Sequence, residues 1–224
     1  MNITTLIDKQ DTSEIVRDEI AAILVAEVAG QKALALADAK DPREWELRVF
    51  LERNNPWGSF LDPKTEQLDN PPIVNVSLDS VNYEPRASNV IERQKGTGTY
   101  HIDCYGYGLS EDDFSAGHTP GDERAALEAQ RAVRLVRNIL MAGYYTYLGP
   151  GLRGTVWKRW MNGVTMFQPQ IDNRAVQNIV AARLALQVEF NEFSPQVVGD
   201  TIDLVSATVK RQETGEVYFV ANYP

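Results

Sequence analysis

Thr97-Gly98-Thr99-Tyr100-His101-Ile102-Asp103-Cys104-Tyr105 decides the reading of this chain, because its side chains change character with a period of two. Thr97, Thr99, His101, Asp103 and Tyr105 fall on one face, and Tyr100, Ile102 and Cys104 on the other. Successive side chains of a strand point to opposite sides, so the pattern predicts a half-buried β-strand. Moving outward, a long acidic, glycine-flanked loop follows and carries Glu111, Asp112 and Asp113. A helix is expected next, from Asp122 to Ala142, with small apolar residues for packing and Arg124, Arg131, Arg134 and Arg137 left over for another task. Ile73 to Asp79 alternates too, with Val74, Val76 and Leu78 facing one way and Asn75, Ser77 and Asp79 the other. It is the expected antiparallel partner, joined through a loop or bulged turn around Glu84 to Lys95.

Further upstream, Asp11 followed three residues later by Glu14 is a capping-box pattern that starts a helix. Ile15, Val16, Ile20, Ile23, Leu24 and Val28 give that helix a broad apolar stripe; Gly30 weakens it and Lys32 to Ala39 resumes it. Trp45, Leu47, Val49 and Leu51 alternate as a short strand, before Asn54-Asn55-Pro56-Trp57-Gly58 and Asp69-Asn70-Pro71-Pro72 break regular structure. Downstream, Gly143 is the expected C-cap and Gly149-Pro150-Gly151 a turn. Gly154 to Trp160 and Val164 to Gln170 read as two short strands, and Val180 to Phe190 as a longer one that buries Leu184, Leu186, Val188 and Phe190. Thr201 to Arg211 and Val217 to Ala221 read as a hairpin.

The expected class is therefore α+β, an antiparallel or mixed sheet with two main helices packed on one face. Residues 1–193 would form the domain, with an excursion inserted near 45–72, and 194–224 a C-terminal β-hairpin extension. That hairpin either completes the sheet or serves as an arm for a neighbour, since exposed edges invite partner strands.

A chain of 224 residues with 43% apolar content can bury a sizeable core. Its net charge of −9 disfavours a general nucleic-acid binder, which needs a basic face to displace phosphate counterions. Acidic walls do suit a passage through which DNA slides without sticking, with repulsion reaching about 8–10 Å at physiological salt. The single cysteine, Cys104, sits in the strand pattern as a small buried hydrophobe and suits a reducing cytoplasm. Met1 to Gln10 lacks a basic segment followed by an apolar one, so no signal peptide is expected. Ile20 to Val28 falls short of the roughly 20 residues of a membrane span.

No chemistry converges. His101 and Cys104 point to opposite faces, which works against a nucleophilic pair. His118 lies in Gly117-His118-Thr119-Pro120-Gly121, a loop. Glu111, Asp112 and Asp113 lack the alternating ligand spacing of a calcium loop and read more simply as a solvated turn. Gly149-Pro150-Gly151-Leu152-Arg153-Gly154 lacks the lysine and hydroxyl of a phosphate loop, and Gly96-Thr97-Gly98 opens a strand where a dinucleotide site needs a helix. Trp157-Lys158-Arg159-Trp160 could stack on bases, but paired tryptophans in a β segment more often fill core and interface. No enzyme, cofactor or metal is expected. The arginines of the second helix either make a solvated face or pair with carboxylates of a neighbour.

Ile91-Glu92-Arg93-Gln94, the strand continuing through Tyr105-Gly106-Tyr107-Gly108, and Arg134-Leu135-Val136-Arg137-Asn138-Ile139-Leu140, together with the order of elements, resemble the tail-terminator (gateway) neck proteins of contractile-tailed bacteriophages. The likeness spans Asp11 to Phe193 and brings no catalytic signature. It implies a structural α+β subunit, a homo-oligomer closing into a six-membered ring on the tail tube, located in the virion after assembly in the host cytoplasm. Its partners would be tail tube and sheath proteins, head–tail connector proteins and genomic DNA passing through the lumen, with no membrane. A connector or collar role in an adjacent neck layer, or an assembly factor absent from the virion, stays open. Within the ring reading, Arg131, Arg134 and Arg137 are the intersubunit candidates, and Glu111, Asp112 and Asp113 the lumen-facing ones.

Overall fold

The computed structural model describes residues 9–60, 71–85, 93–113, 117–169, 178–193, 205–210 and 217–223. In chain order the regular elements are α1 (Thr12–Ala37), β1 (Arg48–Leu51), β2 (Ile73–Tyr83), β3 (Arg93–Tyr107), β4 (Glu111–Asp113), β5 (Gly117–Thr119), α2 (Gly121–Met141), β6 (Val156–Phe167), β7 (Ile179–Phe193), β8 (Val205–Lys210) and β9 (Val217–Tyr223). Five strands form one mixed sheet in the order β1-β2-β3-β7-β6, with β1 parallel to β2 and the other neighbours antiparallel. Gln10–Ser194 is one compact unit; Met1–Lys9 with Pro195–Pro224 is the other, and in it β8 pairs antiparallel with β9.

The alternation of β3 becomes the division between two sides of the sheet. Tyr100, Ile102 and Cys104 join Val74, Val76, Leu184, Leu186, Val188 and Phe190 under both long helices, which supply Val16, Ile20 and Leu24 from α1 and Ala129, Ala132, Val136 and Leu140 from α2. The α+β class and the packing of both helices on one face are as expected. On the opposite side Ile73, Tyr105, Ile179 and Ala181 gather around Phe60, with Trp57 5.3 Å and Phe167 6.2 Å from the Tyr105 ring. Trp57 and Phe60 belong to a 3-10 turn, Pro56–Phe60, so the excursion after β1 caps the apolar end of the second face. Its residues 61–70 lie outside the described residues.

Helix α1 starts as expected, the backbone N–H of Asp11 donating to Glu14 at 3.0 Å. Its first turn is tied to the sheet: the Thr12 N–H and hydroxyl donate to the Glu192 carboxylate of β7 at 2.8 and 3.2 Å, and the Tyr100 hydroxyl donates to the Ser13 carbonyl at 3.0 Å. The helix runs unbroken through Gly30. Helix α2 lies so close to β3 that a Cβ at Gly106 would sit 2.1 Å from the Ala125 carbonyl oxygen, and one at Gly108 2.3 Å from that of Gly121. Glycine on the strand and Ala125, Ala129 and Ala132 on the helix are what this approach requires.

Four expectations need correction. Gly143 does not cap α2; Ala142 closes it, and Gly143 opens a 3-10 turn, Gly143–Tyr145. Arg159 donates to the Ala142 and Tyr145 carbonyls at 2.8 and 2.6 Å, so the helix end finds its donors without a left-handed glycine. The two short strands expected over 154–170 are one, β6, whose register shifts at Val156/Lys158 and Met161/Gly163 absorb the break. Trp45 ends a 3-10 turn, Pro42–Trp45, capped by the Asp41 side chain, leaving the strand only Arg48–Leu51. The acidic loop is in part a ribbon: Glu111 pairs with Thr119, Asp112 with His118 and Asp113 with Gly117.

Candidate functional site

Arg131 is committed within its own subunit. Its guanidinium donates to Glu128 one turn earlier, at 2.7 and 3.1 Å, and to the backbone carbonyl of Glu44. Arg134 and Arg137 are exposed, with no hydrogen bond or ion pair among the described residues. A cleft of 440 Å³ opens between α2 and the Pro42–Trp45 turn. Arg43, Arg124, Arg131 and Arg134 line it beside Asp41, Glu44, Glu46 and Glu128, so the charges balance and no site for an anion results. Hydrogen bonds from the Arg43 side chain and backbone hold Asp41 below the usual carboxylate range.

Glu111, Asp112 and Asp113 share one three-residue strand, but their side chains lie outside the described residues. Among the described residues no group of three His, Cys, Asp or Glu side chains is placed to hold a metal. Cys104 is fully buried and burial pushes its thiol pKa far up, which removes the thiolate a nucleophile needs. His101 is half-buried on the other face, its Nδ1 3.5 Å from Asp79. Next to it, buried Asp103 receives a two-pronged hydrogen bond from Arg183, Nε at 2.7 Å and Nη2 at 2.8 Å. This fork, which raises the Arg183 pKa, ties β3 to β7. In the Trp157–Trp160 patch, Arg93 covers the Trp157 ring at 5.4 Å, Lys158 lies 5.0 Å over Trp160, and Arg159 is spent on the end of α2.

The outer side of α1 is an exposed apolar surface. On α1 the residues Ala22, Val25, Ala26, Ala29, Ala33 and Leu36 are all exposed, and their spacing puts them along one side of the helix. Val25 is 55% exposed, Leu34 59% and Leu36 60%. The charged neighbours on the flanks are tied down: Lys32 bonds Glu46 at 2.7 Å, and Glu27 accepts from the Tyr145 hydroxyl at 2.5 Å. Burial first, and then that bond, push the Tyr145 phenol up to about 12. α1 is long and apolar enough by composition to cross a membrane, yet its inner side supplies Val16, Ile20 and Leu24 to the core. The sequence signal for the outer side was an excess of apolar residues beyond the single stripe that a core needs. No protein-family model matches the chain, and no curated protein matches it in sequence.

Proposed function

We propose that this chain is a structural ring subunit of a bacteriophage neck, which caps the tail tube, joins it to the head connector and lets DNA pass. The family resemblance supplies the setting, and one observation carries the reading: α1 turns an uncharged apolar side to solvent although its other side already fills the core. A soluble subunit keeps such a surface when another protein covers it. In a head-to-tail ring every copy satisfies one heterologous interface, whereas an open arrangement would grow into fibres. Copies of the same chain are the partners in that ring, and tube, sheath and connector proteins lie above and below it. The net charge of −9 fits a lumen that repels phosphate, with the ribbon carrying Glu111, Asp112 and Asp113 as its candidate constriction. Electron cryo-microscopy of complete particles tests the proposal. Six copies closed around the DNA path at the head–tail junction are expected; absence from the particle, or a single copy there, would overturn it.

A further inference from the structure

The five-stranded sheet has two unequal edges. β1, four residues long, is one, and β6, twelve residues long, is the other; among the described residues β6 pairs with β7 alone. Edge strands are normally protected by charges, bulges or shortness. The first half of β6 has such protection, with Lys158, Arg159 and both register shifts. The second half, Gly163-Val164-Thr165-Met166-Phe167, has none: its register is regular, it carries no charge and no proline, and Val164 and Met166 are 48% and 41% exposed.

The same chain contains a second, two-stranded sheet outside the five-stranded one. β8 and β9 form a two-stranded sheet in the other compact unit, and a lone hairpin is marginal in water. Its register pairs Val205 with Tyr223, Ala207 with Ala221 and Val209 with Phe219, alternating with Ser206–Asn222 and Thr208–Val220. Cross-strand partners share a face, so one face of the hairpin is apolar throughout. Residues 194–204 lead from β7 to it, and eleven residues span at most about 40 Å, beyond the roughly 16 Å radius of gyration of a unit this size.

We propose that the hairpin β8–β9 of one copy adds to the open edge Gly163–Phe167 of a neighbouring copy, extending its sheet by two strands. Backbone hydrogen bonds supply the attachment, and the apolar row continues the helix-covered face, on which Val164 and Met166 sit opposite Leu184 and Ala182. This rests on the proposed assembly of copies and names a second contact within it, beside the apolar face of α1. The donor and acceptor are different surfaces, so the contact is head-to-tail and can close a ring.

Two differently tagged copies of the 224-residue chain test it, one with Thr165→Cys and the other with Thr208→Cys or Asn222→Cys, positions that share a face of the extended sheet; buried Cys104 stays out of reach. Under mild oxidation a disulfide between the two tags is expected from at least one combination. A monomeric disulfide in a chain carrying both substitutions, without any between tags, would place the hairpin on its own edge and overturn the inference. So would self-association of the mixed chains with no disulfide in any combination, an outcome that leaves the ring proposal standing. In parallel, Val164→Lys with Met166→Lys should weaken self-association at least tenfold at an unchanged melting temperature. Unchanged association would also overturn it.

Discussion

Helices α1 and α2 pack side by side on one face of one sheet, yet they treat solvent in opposite ways. α2 is one-sided: Ala125, Ala129, Ala132, Val136 and Leu140 are buried, and Arg134 and Arg137 stand outside. α1 is apolar on both sides, with Leu24 fully buried and its neighbour Val25 55% exposed. The difference teaches that charge and exposed apolar surface are separate signals: Arg131 is already paired within its own chain, while α1 leaves apolar side chains in solvent. Arginines on a solvated face need no partner, while the exposed row of Ala, Val and Leu on α1 is the surface that the proposed ring would cover.

The largest effect should come from the contact that seats α2. Gly106→Val would drive a side chain into backbone atoms of Ala125 and Ala129, which cannot retreat as a flexible side chain could. A loss of about 3 kcal/mol or more is expected in urea denaturation. A near-neutral result would mean that α2 is seated less tightly than its two glycine contacts require.

Adjacent residues on α1 sharpen the comparison next. Leu24→Ala should cost about 2–5 kcal/mol through the cavity it leaves. Val25→Ala should stay within about 0.5 kcal/mol in the monomer, because more than half of its surface already lies in solvent. Equal losses at the two positions would erase the distinction between the inner and outer sides.

Alkaline pH probes three raised phenols, two of which, Tyr100 and Tyr145, are hydrogen-bonded to α1. Burial raises the pKa of Tyr100 and Tyr105 well above the ordinary 10.0 and that of Tyr145 to about 12. The sign follows directly: these phenols are protonated in both states below 10, and above it the unfolded chain loses protons first. Stability should therefore be level up to about pH 9 and fall from about pH 10 upward. Tyr145→Phe should flatten part of that fall in chemical denaturation series; an unchanged slope would remove Tyr145 from the cause. The smallest effect belongs to Arg134→Ala with Arg137→Ala, expected within about 0.5 kcal/mol by the same denaturation measurement. A loss well beyond that would show partners for these arginines that the exposed face does not reveal.

Alternation made β2, β3 and β7 legible, since each buries one side of a sheet and reports it residue by residue. The capping box placed α1, and the arginine-rich helix was found within one residue at either end. Long-range geometry was not readable. Gly106 and Gly108 became meaningful only when α2 was seen to cross them. Arg159 capped a helix that ends more than a dozen residues earlier, displacing Gly143 from that role. A bulge at Met161/Gly163 hid the continuity of β6, because alternation fails wherever a residue is inserted. Arg131 was legible as a charge but not as one already paired, since its carbonyl partner at Glu44 is distant in sequence.

Native mass spectrometry of three full-length proteins at high micromolar concentration tests the central claim most directly. These are the unmodified chain, Val25→Glu with Leu36→Glu, and Arg134→Ala with Arg137→Ala. One discrete closed oligomer is expected for the first and third, and monomer for the second. A monomeric unmodified chain, or an arginine variant that falls apart while the α1 variant still assembles, would contradict assembly through the apolar face of α1.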